Sequence, residues 1–129
     1  MRELGRGVTA VAVAGLLTAL VATSSGAASR ATRAFDGMWS VSIYTESGPC
    51  DPSYRYPARI IGGQIQQADN DFSYQLSGVV ISSGAIAVTV TKNGQSATGY
   101  GRLRDGKGGG RWSAESVQCF GTWNAVRRG

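Results

Sequence analysis

The sequence predicts an all-β domain: a small eight-stranded antiparallel up-and-down meander, closed into a barrel and preceded by a signal peptide. Three observations carry this expectation. From Met38 onward, short segments alternate apolar and polar residues with a period of two, and none sustains a helical period. Gly-rich or Asx-rich turns separate these segments. The 129 residues hold two cysteines, Cys50 just past the first segment and Cys119 at the start of the last.

The N-terminus reads as an export signal. Arg2 and Arg6 stand against one Glu3, and the fourteen residues from Val8 to Val21 are uncharged and largely apolar. That is short of the ~20 a spanning helix needs. TSSGAAS follows, and Gly26-x-Ala28 fits small-x-small cleavage after Ala28. The rival is an uncleaved anchor. No Cys directly follows the apolar run to take a lipid. The expected organisation is therefore a signal peptide at 1–28, a flexible leader at 29–34 and one β domain at 35–128.

Strand one covers about Met38 to Glu46, with Trp39, Val41 and Ile43 on one face. SGPCDPS, Ser47 to Ser53, is a loop. Strand two covers Arg55 to Ile61 and contains Pro57, which cannot donate to a ladder and belongs on an edge. Gly62-Gly63 turns into a short polar strand at 64–68. Strand four covers Asp71 to Ile81, with Phe72, Tyr74 and Leu76 aligned and a bulge marked by Gly78. Strand five, Ala85 to Lys92, places Ile86, Val88 and Val90 inward. Asn93-Gly94 is the strongest hairpin signal in the chain. Strand six, Gln95 to Arg104, has one face of Ala97, Gly99, Gly101 and Leu103, which makes room for large residues elsewhere in a curved sheet. Asp105-Gly106 leads to strand seven, Gly110 to Ala114. Strand eight, Gln118 to Arg127, aligns Cys119, Gly121, Trp123 and Ala125.

An even strand count makes the first and last strands antiparallel when the sheet closes. The end of strand one then meets the start of strand eight, where a Cys50–Cys119 disulfide needs Cα atoms within ~7 Å. An even cysteine pair in an exported chain reads as such a bond. The rival architecture is a two-sheet sandwich, in which the same bond links the sheets.

The chain lacks histidine. That removes Ser-His-Asp and Cys-His catalysis and His-ligated zinc or haem. No convergent carboxylates replace them, so the expectation is a non-enzyme without a cofactor. Thirteen Lys and Arg stand against eight Asp and Glu, a net charge of +5. This favours acidic surfaces. Export argues against a nucleic-acid target and, after cleavage, against stable membrane insertion.

GRLRDGKGGGRW, Gly101 to Trp112, matches GxxxxGK, yet Lys107 precedes three glycines instead of Ser or Thr, and no helix pattern follows. It reads as a hairpin tip. Tyr100, Arg102 and Arg104 form an outward stripe with Lys107 and Arg111 close by. They read as a solvated face, with an anion-binding surface as the functional alternative. Trp39, Trp112 and Trp123 fall on strands that closure makes neighbours. They read as core, with an aromatic platform as the alternative. Asp69-Asn70-Asp71 lacks the full calcium-loop spacing and reads as a turn. Glu46 and Glu115 receive no role.

FDGMWSVSIYTESGPC and YRYPARI near the start, with GYGRLRDGKGGGRW and CFGTWNAVRR near the end, give the chain a resemblance over Phe35 to Arg128. It resembles a family of small exported β proteins of Gram-negative bacteria. The resemblance implies export and a shared β domain, and it supplies no catalytic residues. The expected function is a non-catalytic binding or envelope-associated module, periplasmic or secreted, whose partner is an anionic envelope component or a secreted protein. The alternative is an inhibitor of a secreted or cell-wall enzyme that presents the Ser47–Ser53 loop.

Overall fold

The computed structural model describes residues 32–129; the signal peptide expected at 1–28 and the first residues of the leader lie outside the described residues. Eight strands follow in order: β1 (Gly37–Ser47), β2 (Ser53–Ile61), β3 (Gln64–Gln67), β4 (Tyr74–Val80), β5 (Ala85–Lys92), β6 (Gln95–Arg104), β7 (Lys107–Ala114) and β8 (Cys119–Arg127). A single 3-10 turn, Glu115–Val117, joins the last two. Each strand pairs antiparallel with the next, and β8 pairs with β1, so the sheet closes into an up-and-down barrel. The sandwich does not form. Cys50 and Cys119 are bonded, with Cα atoms 6.2 Å apart.

Turn chemistry sets the hairpins. Asn93 and Gly94 have φ of 54° and 77°, and Asp105 and Gly106 have 54° and 79°. Two consecutive positive φ values give a turn whose twist matches the strands it joins. Lys107 therefore opens β7 opposite Arg104, and the GxxxxGK match spans a hairpin with no helix after it.

Two details of β4 differ from the sequence reading. Phe72 was aligned with the inward face, yet it lies in the preceding turn and is 90% exposed. Gly78 carries no bulge, since its register with both neighbours is continuous. The pattern blurs there because Val79 and Ile81 are apolar but point outward. The register shift of the barrel falls in β1 between Thr45 and Ser47, beside the disulfide loop.

Pro57 fits for a local reason. The β2–β3 ladder covers only Ala58 to Ile61, so β3 has already ended where Pro57 sits, and that stretch of β2 is an edge. Tyrosines fill the space left between β2 and β4. The Tyr56 and Tyr74 rings lie 4.7 Å apart, and Tyr54 stacks 6.3 Å from Tyr56. Tyr74 is buried, and its hydroxyl donates to Asp69.

Trp123 explains the small residues of β6. It pairs with Gly110, which pairs with Gly101, and its indole lies along that row. A Cβ on Gly101 would come within 2.7 Å of the ring, and one on Gly110 within 1.9 Å of the Tyr100 carbonyl. Room for this one large side chain is thus made on β6, at Gly99 and Gly101, while the close approach of the Tyr100 backbone keeps Gly110 bare. Trp112 leans the other way, over Gly121, and its indole N–H donates to the Tyr44 carbonyl at 2.9 Å.

One end of the barrel is sealed. Trp39, Val80 and Leu103, each 2% exposed, fill it together with Ile60 and Ile65. Phe35 packs beneath them and its carbonyl accepts the Trp39 indole N–H at 2.9 Å. The Arg127 guanidinium stacks 5.1 Å from the Trp39 ring and donates to the carbonyls of Ala34 and Asp36. The Asp36 carboxylate accepts N–H bonds from Gly62 and Gly63 in the β2–β3 turn. Thr32 to Ala34, placed in the leader by the sequence reading, thus run onto this end. Ala34 also donates its N–H to the Thr32 hydroxyl.

Candidate functional site: an apolar cavity open at one end

The opposite half of the barrel is hollow. A cavity of about 330 Å³ runs from Trp39 and Leu103 at its floor to a rim of Asp51, Lys92, Asn93, Gln95 and Ser96. Strand alternation builds its wall: Val41 and Ile43 from β1, Leu76 from β4, Ile86, Val88 and Val90 from β5, and Ala97 from β6. These side chains are only partly buried, because the space in front of them is empty. Eight strands enclose an interior that side chains either fill or leave open to one small ligand. Here the closed half is filled and the mouth half is open.

The wall offers almost no hydrogen bonds. The three indole N–H groups are bonded to the carbonyls of Phe35, Tyr44 and Tyr100. Trp39, Trp112 and Trp123 touch the cavity, yet they are 2%, 7% and 6% exposed. They form its floor and corners, and aliphatic side chains present most of its open face. Polar groups gather at the mouth. The Tyr54 hydroxyl accepts the Asp51 N–H at 3.2 Å, and Asp51 and Lys92 stand exposed on the rim.

The disulfide fixes one lip. Cys50 lines the cavity from the β1–β2 loop, and Cys119 begins β8. Gly48 approaches so closely, at φ 105°, that a Cβ would stand 2.4 Å from the Gln118 carbonyl. The Thr45 N–H donates to the Pro52 carbonyl at 2.9 Å and its hydroxyl to that of Asp51 at 2.6 Å. The Ser47–Ser53 loop, read as a candidate inhibitory loop, is therefore the braced lip of the cavity.

The other sequence candidates lie outside the barrel. Tyr100, Arg102 and Arg104 face out from β6, with Arg111 opposite Tyr100 and Lys107 opposite Arg104. The five thus share one outer face. Arg111 is paired with Glu46 at 3.1 Å and Arg104 with Asp105 at 3.6 Å. Asp69 and Asp71 make Asx bonds to the N–H groups of Asp71 and Ser73, as a turn requires. Among the described residues no group of three or more His, Cys, Asp or Glu is placed to hold a metal ion. Sequence reasoning named the aliphatic lining residues as inward and left open whether the interior is filled or hollow; it placed Thr98, which also lines the cavity, on the outward face.

Tyr74 seals the wall beside the cavity. Burial, then the Asp69 hydrogen bond, push its hydroxyl up to about 12. The folded protein therefore keeps this proton where the unfolded chain, titrating near pH ~10, gives it up. The stabilisation is complete below the unfolded value and is lost as pH rises through the folded one. The urea midpoint should fall across that window, and Tyr74→Phe should flatten the fall. Tyr56, raised mainly by burial, contributes in the same direction. An unchanged slope in the variant would refute the assignment.

Fold and site together define a small up-and-down barrel with a one-ended apolar cavity. No protein-family model matches the chain, and no curated protein matches it in sequence. The disulfide is consistent with a location outside the cytoplasm.

Proposed function

We propose that this is an exported, non-catalytic binding module that holds one small apolar or amphipathic molecule inside the barrel, in the periplasm or the medium. The cavity carries the reading: about 330 Å³ of space with a largely apolar wall and its charged side chains, Asp51 and Lys92, at the rim. A dry apolar cavity of ~150 Å³ accepts benzene, so this one suits about two ring-sized units. The indole N–H groups are already bonded, so the inner wall rewards a ligand body without donors or acceptors, with any polar head at the mouth. Export is supported by the apolar N-terminal run and by the disulfide.

The test is titration with the neutral fluorophore N-phenyl-1-naphthylamine, read by its own emission and by energy transfer from the tryptophans. Saturable one-to-one binding is expected. Ala97→Phe places a ring in the open space without disturbing the floor. It should weaken binding about tenfold, by displacing roughly 60 Å² of ligand contact. Thermal unfolding of the variant at or above the parent midpoint verifies its fold. Binding that the variant leaves unchanged, or no binding at all, would refute the proposal.

A further inference from the structure

We propose that the closed end of the barrel docks on an anionic phospholipid surface, leaving the cavity mouth facing away from it. This goes beyond cavity binding and stands on a separate observation. The side-chain charges of the described residues are sorted along the barrel axis. At the closed end Arg33, Arg59, Arg102, Arg104, Lys107 and Arg128 are all exposed, and Arg127 is half-buried. Only Asp36 and Asp105 oppose them, so seven cations meet two carboxylates for a local charge of +5. At the mouth end, Glu46, Asp51, Asp69, Asp71 and Glu115 outnumber Arg55, Lys92 and Arg111, for a local charge of −2.

The closed end also exposes aliphatic side chains. Ile61 precedes the Gly62–Gly63 turn and is 52% exposed; Val79 on β4, one strand further across Gln64 of β3, and Ile81 just past β4 are 50% and 45% exposed. Cations next to protruding aliphatics match a bilayer surface: anionic headgroups attract the first, and the headgroup–acyl boundary takes up the second. A hydrated polyanion would engage only the cations. The exposed Arg104–Asp105 pair is weak and leaves Arg104 able to face a phosphate. Arg111 and Tyr100, grouped with these cations in the sequence, sit nearer the mouth, and Arg111 is held by Glu46. The docking set is therefore Arg102, Arg104 and Lys107 with Arg33, Arg59 and Arg128.

The experiment is co-sedimentation of the protein, as recovered from its host, with phosphatidylcholine vesicles that either contain or lack phosphatidylglycerol. Every variant keeps the parent's N-terminus. Binding to the anionic vesicles should exceed binding to neutral ones and weaken with salt. The R102S/R104S/K107S variant should bind anionic vesicles on the order of a hundredfold less tightly, each cation near the surface contributing about a factor of five. R55S/K92S/R111S removes the same charge from the other end and should stay within about threefold of the parent. Circular dichroism verifies the fold of both. Ile61→Ser with Ile81→Ser should leave a binding component that salt abolishes completely. Equal binding to neutral vesicles would overturn the proposal, as would equal weakening by both triple variants. So would binding to soluble anionic polysaccharide without vesicle binding, or sedimentation in the absence of vesicles.

Discussion

Replacing both Cys50 and Cys119 with Ala is expected to lower the unfolding free energy by about 4 kcal/mol. The bond joins cysteines 69 positions apart in sequence, and cross-linking so long a segment removes much of the freedom of the unfolded chain. Small domains hold ~5–15 kcal/mol in total, so the variant should lose about a quarter or more of its stability. The native contacts change little: Cys119 is 2% exposed, and Ala at either position leaves a small void. The variant should keep its β-sheet dichroism and its tryptophan environment, while its urea midpoint falls and its m-value rises as the denatured state expands. A loss below about 1 kcal/mol would show that the β1–β8 ladder holds the seam without help, contrary to the chain-entropy account.

Trp123→Ala should cost about 3–5 kcal/mol, toward the upper part of that range. The cost of a truncated core residue depends on how far its surroundings can collapse. Here the indole lies along Gly101 and Gly110, with its N–H 3.4 Å from the Cβ position of Gly99. None of the three has a side chain to move into the vacated space. The Tyr100 carbonyl also loses its indole donor at 3.3 Å. Trp123→Phe keeps a ring in place and should cost well under half as much. The measurement is equilibrium urea unfolding of the three proteins. A loss in Trp123→Ala below roughly 1.5 kcal/mol would mean that the barrel wall itself closes over the gap.

Much of the fold was legible because barrels obey local rules. Period-two alternation assigned Trp39, Val41, Ile43, Val88 and Trp123 to the interior, and Asn93-Gly94 and Asp105-Gly106 placed two turns. The cysteine positions joined the two ends. The misreadings have physical causes too. Phe72 fits the alternation, yet Asp69, Asp71 and Ser73 tie the chain around it into a turn. Small residues on β6 announced a large neighbour without saying which one, because the lean of an indole along the sheet is not written in the alternation.

The cavity was illegible for a different reason. Val, Ile and Ala face inward whether a barrel is filled or hollow; the empty volume depends on where the tryptophans lean. All three engage backbone carbonyls at the floor or in the wall and leave the mouth half unfilled. The sorting of charge was hidden as well. Arg33, Arg59, Arg102 and Arg128 are scattered along the chain, and only the reversal of direction at every turn brings them to one end.

The seam between β1 and β8 has a consequence for how the molecule comes into being. Every other pairing joins neighbours in sequence and can form as soon as a hairpin is made, in microseconds. β1 has one such neighbour, and its other edge waits for the final strand of the chain. That ribbon edge stays unpaired until residues 119–127 are available, so the β1–β8 ladder, the least local pairing of the barrel, is the last that can form.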